Sequence, residues 1–219
     1  MKVINLGAGN SILNQFVAEL RDENIQKDRM RFRENVKRIG HVMAYEISKT
    51  LQYDNVTVQT PLDKCDMMLP QDDIVIGTVF RAGLPLHEGF LDTFDKAGNA
   101  FLSAYRYYTD RECNNIDVHI EYIATPCLDD KTFMLVDPML ATGESLILAH
   151  KAFLTKGTPK KIIFASVIAT KEGIARMKKH FPSDDIVLYT AAIDPTLNEH
   201  KYIVPGLGDA GDLMYGGKL

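Results

Sequence analysis

Residues 133–145 read FMLVDPMLATGES. Their first four residues are apolar and predict a buried strand, and the carboxylate of Asp137 follows at the end of that strand. Thr142, Gly143 and Ser145 then lead into a predicted helix, whose first backbone N–H groups and dipole favour a bound phosphate. A strand–turn–helix connection without a ligand is the alternative. No GK[ST] triplet is present, so the loop is not of the Walker type.

Further apolar runs indicate a sheet around this strand. They lie at residues 74–80, 162–169 and 186–191, and each is nearly continuous, as in parallel strands covered on both faces. Helices are predicted from Leu84, over residues 145–156 and over residues 171–180. This alternation predicts an α/β fold, a parallel sheet flanked by helices, with ligands at the carboxyl ends of the strands. The loops after Phe80, Val136 and Ala191 are therefore the candidate sites.

The N-terminal part has a different pattern. Apolar residues recur at helical spacing over residues 12–20 and 32–47, which predicts two amphipathic helices. Val56 and Val58 alternate with polar neighbours and predict an edge strand that Pro61 ends. We predict a single domain over residues 1–219, divided into a helical arm (1–52) and an α/β core (53–219). The segment GAG at residues 7–9 is predicted to be a turn without a nucleotide, because no strand is evident before it.

Composition excludes several classes of protein. The net charge of −4 argues against nucleic-acid binding, and no apolar run is long enough to cross a membrane. The three cysteines and six histidines are scattered, which argues against a zinc site or a disulfide framework. We therefore expect a soluble, cytoplasmic protein without nucleic-acid or membrane partners.

Two arginines follow or end predicted strands. Arg81 precedes a turn that contains Gly83, and a guanidinium at this point can hold a pyrophosphate. Arg106 lies within AYRYY, residues 104–108, at the end of another predicted strand, and polar residues continue to about 115. The alternatives are a surface arginine on a turn at residue 81 and aromatic packing for the neighbouring tyrosines.

The stretch YIVPGLGDAGD, residues 202–212, combines glycines with apolar residues. The apolar residues predict a packed loop rather than a flexible tail. Glycines in such a loop expose backbone N–H and C=O groups, which match the alternating donors and acceptors of a pyrimidine edge.

Together these motifs resemble the type I phosphoribosyltransferases, and in particular the uracil phosphoribosyltransferases, over nearly the whole chain. The resemblance implies transfer of the 5-phosphoribosyl group from phosphoribosyl diphosphate (the donor) to N1 of uracil, which gives UMP and diphosphate. It also implies a Mg²⁺ cofactor, a mobile flap at about residues 104–124 and a homodimer or higher homo-oligomer. GTP binding and allosteric activation occur in some relatives.

The resemblance also assigns residues to roles. Arg81, Arg106 and Asp137 are the implied catalytic residues, and all three contact the donor. The rest of the implied donor site comprises Pro138, Met139, Leu140, Ala141, Thr142, Gly143, Glu144, Ser145 and Asp209. Uracil is expected at Ile203, Gly208, Asp209 and Ala210, mainly through backbone groups. Asp209 is also the expected magnesium residue, through water.

Two positions depart from the common pattern. Pro138 stands where many superfamily members carry a second acid, a variant that is similar to the uracil branch. Glu144 stands where that branch usually has a second glycine, and its charge opposes a phosphate, so Glu144→Gly is expected to tighten donor binding. The alternatives are a non-catalytic pyrimidine-nucleotide sensor and a phosphoribosyltransferase for another base. Loss of activity in Asp137→Asn would separate the enzyme from the sensor.

Overall fold

The computed structural model describes residues 1–108 and 116–217, with side chains described outside residues 104–119. Its main sheet has the strand order β1-β10-β9-β7-β4-β5-β6, with the short β8 paired to β9. All neighbouring pairs are parallel except β5–β6. The strands are β1 (Lys2–Asn5), β4 (Ile74–Val79), β5 (Gly98–Tyr108), β6 (Ile116–Ala124), β7 (Thr132–Val136), β8 (Met139–Leu140), β9 (Lys161–Thr170) and β10 (Val187–Asp194).

Helices cover both faces of this sheet. They are α1 (Ile12–Arg21), α2 (Arg29–Ser48), α3 (Leu84–Thr93), α4 (Glu144–Phe153), α5 (Lys171–His180) and α6 (Ala210–Tyr215). One core cluster joins α1, α2, α3 and α6 to one face of the sheet, and a second joins α4 and α5 to the other. This arrangement confirms the predicted fold class.

The strands and helices predicted around residues 133–145 are confirmed, with ends that shift by one to three residues. The strand after α5 runs to Asp194 rather than to Ala191. The helix predicted to end at Lys156 ends at Phe153, and a 3-10 turn (Leu154–Lys156) follows it. Strands β4 and β7 are neighbours, and the chain leaves them toward opposite edges of the sheet. The crevice between their carboxyl ends is therefore the topological switch point, where ligands of such sheets bind.

One prediction for the N-terminal part was wrong. A strand does precede the GAG segment, since β1 pairs with β10. This strand has only four residues, which are too few for a clear sequence pattern. The turn itself is confirmed as a 3-10 helix, and a Cβ at Gly7 would lie 2.1 Å from the Ala191 carbonyl oxygen. The strand predicted around Val56 is confirmed as β2 (Tyr53–Gln59), which pairs with β3 (Lys64–Pro70) in a separate two-stranded sheet. Strand β3 was not predicted because its residues show no alternation.

The segment predicted as a flap includes the antiparallel pair β5–β6. Residues 109–115, between these strands, lie outside the described residues, and so does the side chain of Arg106. No helix in the described part of the chain is long and apolar enough to cross a membrane.

The residues that follow β10 form a small structure of their own. Strands β11 (Thr196–Leu197) and β12 (Ile203–Val204) pair antiparallel, and the chain then turns into α6. This places residues 203–210 beside the carboxyl ends of the sheet strands.

Candidate active site

A cavity of about 390 Å³ opens at the carboxyl ends of β4 and β7. It brings together three segments that are far apart in the sequence. Nine of the predicted site residues line it: Arg81, Asp137, Met139, Ala141, Ser145, Ile203, Gly208, Asp209 and Ala210. Pro138, Leu140, Thr142, Gly143 and Glu144 belong to the same loop but are not among the lining residues. The remaining predicted residue, Arg106, lies outside the described side chains.

Asp137 directly follows β7, and two residues of the neighbouring strand β9 hold its backbone. Its N–H donates to the Ala165 carbonyl at 3.0 Å, and the Ser166 hydroxyl donates to its carbonyl at 2.5 Å. Burial raises the pKa of the Asp137 carboxyl to about 7, against a weak hydrogen bond from the Met139 N–H at 3.4 Å. The carboxyl group is therefore poised to take or release a proton near neutral pH.

The loop after Asp137 runs through β8 into α4. Gly143 adopts a left-handed conformation with φ of 81°, and its carbonyl accepts from the Ile147 N–H. This conformation explains the glycine, because other residues are strained there. The loop thus ends at the N-terminus of a ten-residue helix, where the first backbone N–H groups and the helix dipole favour an anion.

Helix α5 packs directly behind this loop. The Thr170 hydroxyl donates to the Ala141 carbonyl at 2.5 Å and accepts from the Gly173 N–H at 2.8 Å. A Cβ at Gly173 would lie 2.4 Å from the same carbonyl oxygen. The bare glycine therefore lets α5 approach the loop closely, and Thr170 fixes one peptide group of it.

Glu144, the residue that departs from the family pattern, forms an ion pair with Arg176 of α5. The pair crosses from the first residue of α4 to the side of the loop that α5 covers. Arg176 therefore offsets part of the negative charge that Glu144 places at the loop of residues 137–145 (the phosphate loop).

This pairing sets the direction in which substitutions of Glu144 and of Arg176 should change donor affinity. Glu144→Gly and Glu144→Gln should tighten donor binding, and Arg176→Ala should weaken it, each by roughly two- to five-fold as for a solvent-exposed pair. Donor KM and the dissociation constant of UMP measure the effect, with the double variant Glu144→Gln/Arg176→Ala expected near the wild type. A weaker donor affinity in both Glu144 variants would contradict this account.

Arg81 follows β4 and reaches α6 across the cavity. Its Nη2 lies 3.2 Å from Asp212 Oδ1 and 3.3 Å from the Gly216 carbonyl oxygen. The side chain is about two-fifths exposed, so a diphosphate can compete with Asp212 for the guanidinium. Asp209 caps α6 by accepting from the Asp212 N–H at 3.0 Å. A cation and two carboxylates thus lie together at one side of the cavity.

The loop of residues 203–210, where uracil is expected (the base loop), is packed, as the sequence indicated. Ile203, Leu207 and Ala210 are buried, whereas Gly208 is exposed at the cavity. Gly206 and Gly208 have φ values of 65° and 85°, so the two glycines permit the reversals of this loop. Its backbone groups therefore have fixed positions along one wall of the cavity.

Sequence reasoning did not assign six of the lining residues to the site: Val79, Phe80, Ala82, Lys201, Tyr202 and Gly211. Lys201 has a positive φ of 62°, in a turn where the Asn198 side chain accepts from the N–H groups of His200 and Tyr202. The motif NEH before Lys201 could have signalled this turn, because asparagine side chains commonly organise such loops. The lysine adds a second cation near Arg81.

The residues present fit a magnesium ion that arrives with a diphosphate. No group of three or more His, Cys, Asp or Glu in residues 1–108 and 116–217 forms a metal cage. Mg²⁺ usually takes one or two carboxylates, with phosphate oxygens and water as the other ligands. Asp209 supplies one carboxylate at the cavity wall.

Comparisons with known proteins match the whole chain to one family. The family model described as "Uracil phosphoribosyltransferase" matches residues 9–217. A uracil phosphoribosyltransferase of Porphyromonas gingivalis is 56% identical over 219 residues and covers 100% of both chains. One from Thermococcus gammatolerans is 39% identical over 208 residues, 94% of this chain and 89% of its own. A solved structure from Aquifex aeolicus has a TM-score of 0.85 at 28% identity over 98% of both chains. The chain therefore belongs to the uracil phosphoribosyltransferase family.

Proposed function

We propose that the cavity binds phosphoribosyl diphosphate across the ends of β4 and β7, with uracil against the loop of residues 203–210. The protein transfers the 5-phosphoribosyl group to uracil and produces UMP. The observation that carries the site assignment is the single cavity, which joins Asp137, the phosphate loop, Arg81 and the base loop.

The ribose 5-phosphate lies along the loop of residues 137–145 in this proposal. The N–H groups at the start of α4 hold the 5-phosphate, and Thr142 and Ser145 contribute hydroxyl donors. Asp137 accepts hydrogen bonds from the two ribose hydroxyls. Because these donors favour the carboxylate over the neutral acid, donor binding lowers the pKa of Asp137 from its value of about 7.

The diphosphate lies beside Arg81, with Arg106 and Lys201 as further cations. A Mg²⁺ ion held through water by Asp209 would neutralise the charge of the leaving group. Arg81 exchanges its contact with Asp212 for the diphosphate. Closure of the β5–β6 hairpin would exclude water from the reacting carbon, which water would otherwise trap.

Uracil lies against the backbone of Ile203, Gly208 and Ala210, with N1 toward the ribose. The bond from C1 to the diphosphate oxygen breaks, the bond from C1 to N1 forms, and the configuration at C1 inverts. The proton that leaves N1 passes to the departing diphosphate. Positive charge develops on the ribose during this step, and the Asp137 carboxylate stabilises it.

We also propose that the chain forms a homodimer or higher homo-oligomer. All of β3 is exposed, including Met67, Met68 and Leu69, and an isolated two-stranded hairpin is at best marginally stable in water. Ile12 and Met30 in the helical arm are also more than half exposed. A second copy would cover these apolar side chains, and a monomeric mass in solution would contradict the proposal. Activation by GTP stays a prediction.

A panel of bases tests the function. The chain is incubated with phosphoribosyl diphosphate, Mg²⁺ and one of uracil, cytosine, orotate or hypoxanthine, and the nucleotide product is identified by mass. UMP is the expected product, because the backbone of residues 203–210 matches a pyrimidine edge in a cavity of about 390 Å³. Preference for another base would overturn the substrate. Binding of UMP without turnover would favour the sensor.

A further inference from the structure

The last residue of α1 reaches the base loop from the opposite end of the sequence. Both terminal nitrogens of Arg21 bond the carboxylate of Asp194, with Nη2 2.7 Å from Oδ1 and Nη1 2.9 Å from Oδ2. Arg21 Nη1 also donates to the Gly206 carbonyl at 3.0 Å. The Gly206 N–H donates to Asp194 Oδ2 at 2.7 Å. These four hydrogen bonds form one closed network of three residues, the Arg21–Asp194 clamp.

The clamp holds both backbone groups of Gly206, one residue after the cis bond between Val204 and Pro205. Gly206 has a φ of 65°, and a Cβ there would lie 2.0 Å from the Ile203 carbonyl oxygen. The chain on either side of it leads to Ile203 and Gly208, which line the cavity. The position of Gly206 therefore determines where the backbone at Ile203 and the backbone at Gly208 lie.

The network is enclosed and strongly charged. Asp194 is 4% exposed, at the end of β10, and the Arg21 side chain is one-quarter exposed. Burial opposes the charged form of Asp194, but hydrogen bonds from Arg21 and Gly206 hold the pKa of its carboxyl below the usual value. A bidentate guanidinium contact of this kind has a fixed geometry that lysine cannot reproduce.

We propose that Arg21 is a positioning residue for uracil, which acts through Asp194 on Gly206 and the base loop. Arg21 does not line the active-site cavity, so it does not contact the substrate. Arg81 bonds Asp212 and Gly216, and the backbone of Asp137 bonds Ala165 and Ser166, so these donor-binding residues have partners of their own outside the clamp. Loss of Arg21 should therefore impair use of uracil more than use of the donor. This inference rests on the proposed function.

The arm contains a matched control. Arg31 forms a bidentate pair with the buried Glu19, with distances of 2.8 and 2.9 Å, and the other hydrogen bonds described for Glu19 come from Gln15 and Asn35 within the arm. Arg31→Gln breaks an ion pair of the same type in the same arm. It should lower the free energy of unfolding and leave the uracil KM unchanged.

The test compares Arg21→Gln, Arg21→Lys and Arg31→Gln below their unfolding temperatures. In Arg21→Gln the kcat/KM for uracil should fall by roughly 10- to 100-fold, as expected for a displaced substrate. The donor KM should change by less than about three-fold, since that is within the range of exposed charge effects. Arg21→Lys should fall between the wild type and Arg21→Gln.

A second readout, rescue by added guanidinium, tests the proposal even in a variant that folds poorly. A cavity of about 370 Å³ is lined by Arg21 and Ala192, so a guanidinium ion can reach the position of the missing side chain. Millimolar guanidinium should lower the uracil KM of Arg21→Ala and leave that of Arg31→Gln unchanged. Equal effects on both substrates, or an uracil KM unchanged in Arg21→Gln, would overturn the proposal. An inactive wild type would instead refute the proposed function.

Discussion

Asp137→Asn should lower kcat by roughly 100- to 1000-fold, the usual loss when one group that stabilises transition-state charge is removed. The amide has the same shape but carries no charge to offset the positive charge that develops on the ribose. Both hydrogen bonds that hold the Asp137 backbone remain possible. The fold and the affinity for uracil should therefore persist, which calorimetry and steady-state kinetics measure.

The matched control is Asp185→Asn, at an exposed carboxylate in the loop before β10. It should leave kcat unchanged. Retention of more than about a tenth of the wild-type kcat in Asp137→Asn would contradict the electrostatic role of this carboxylate.

The pH dependence of donor binding follows from the same residue. The pKa of Asp137 is raised to about 7 in the unliganded cavity, so at pH 6 most molecules carry the neutral acid there. Ribose hydroxyls donate to the carboxylate, and the donor therefore binds more tightly as the pH rises through about 7. The phosphates of the donor also titrate near this pH. Asp137→Asn removes only the contribution of the enzyme, so a profile unchanged by this substitution would contradict the assignment.

Thr170→Val should raise the donor KM by about ten-fold, which corresponds to ~1.4 kcal/mol of lost phosphate binding. Thr170 is fully buried and bonds both the Ala141 carbonyl and the Gly173 N–H. In a planar trans peptide the carbonyl and the next N–H point in opposite directions. The hydroxyl therefore turns the Thr142 N–H away from α5, and we expect that N–H to contact the 5-phosphate.

Valine keeps the shape of threonine but leaves two buried polar groups without a partner, at a cost of about 1–3 kcal/mol in the free energy of unfolding. Thr170→Ser keeps the hydroxyl and should keep the wild-type donor KM. Equilibrium binding of UMP and of uridine separates the effects, because only UMP carries the 5-phosphate. Equal loss for both ligands in Thr170→Val would show a general loss of structure and not a loss of phosphate positioning.

The sheet could be predicted from the sequence because its central strands are buried on both faces. The runs at β4, β7, β9 and β10 are continuous and apolar, and helices of clear period separate them. Strand β1 escaped prediction because an edge strand of four residues lacks such a signal. Strand β3 escaped because every residue in it is exposed, so no face of it had to be apolar.

The candidate site was predictable where one local segment carries the chemistry. Asp137 and the loop after it form such a segment, and Arg81 follows the neighbouring strand β4. The partners that hold these residues come from distant parts of the chain. Arg21 and Asp194 are 173 positions apart, and Glu144 and Arg176 are 32 apart. No local pattern marks such pairs, so only the fold shows them.

A crystal structure of the complex with UMP tests the central claim, that one cavity joins the phosphate loop, Asp137 and the base loop. The account predicts the 5′-phosphate at the backbone N–H groups of residues 141–145 and the ribose hydroxyls on Asp137. It predicts the uracil edge on the backbone of Ile203 and Ala210. UMP in the cavity beside Arg21, or a uracil ring away from residues 203–210, would contradict the account.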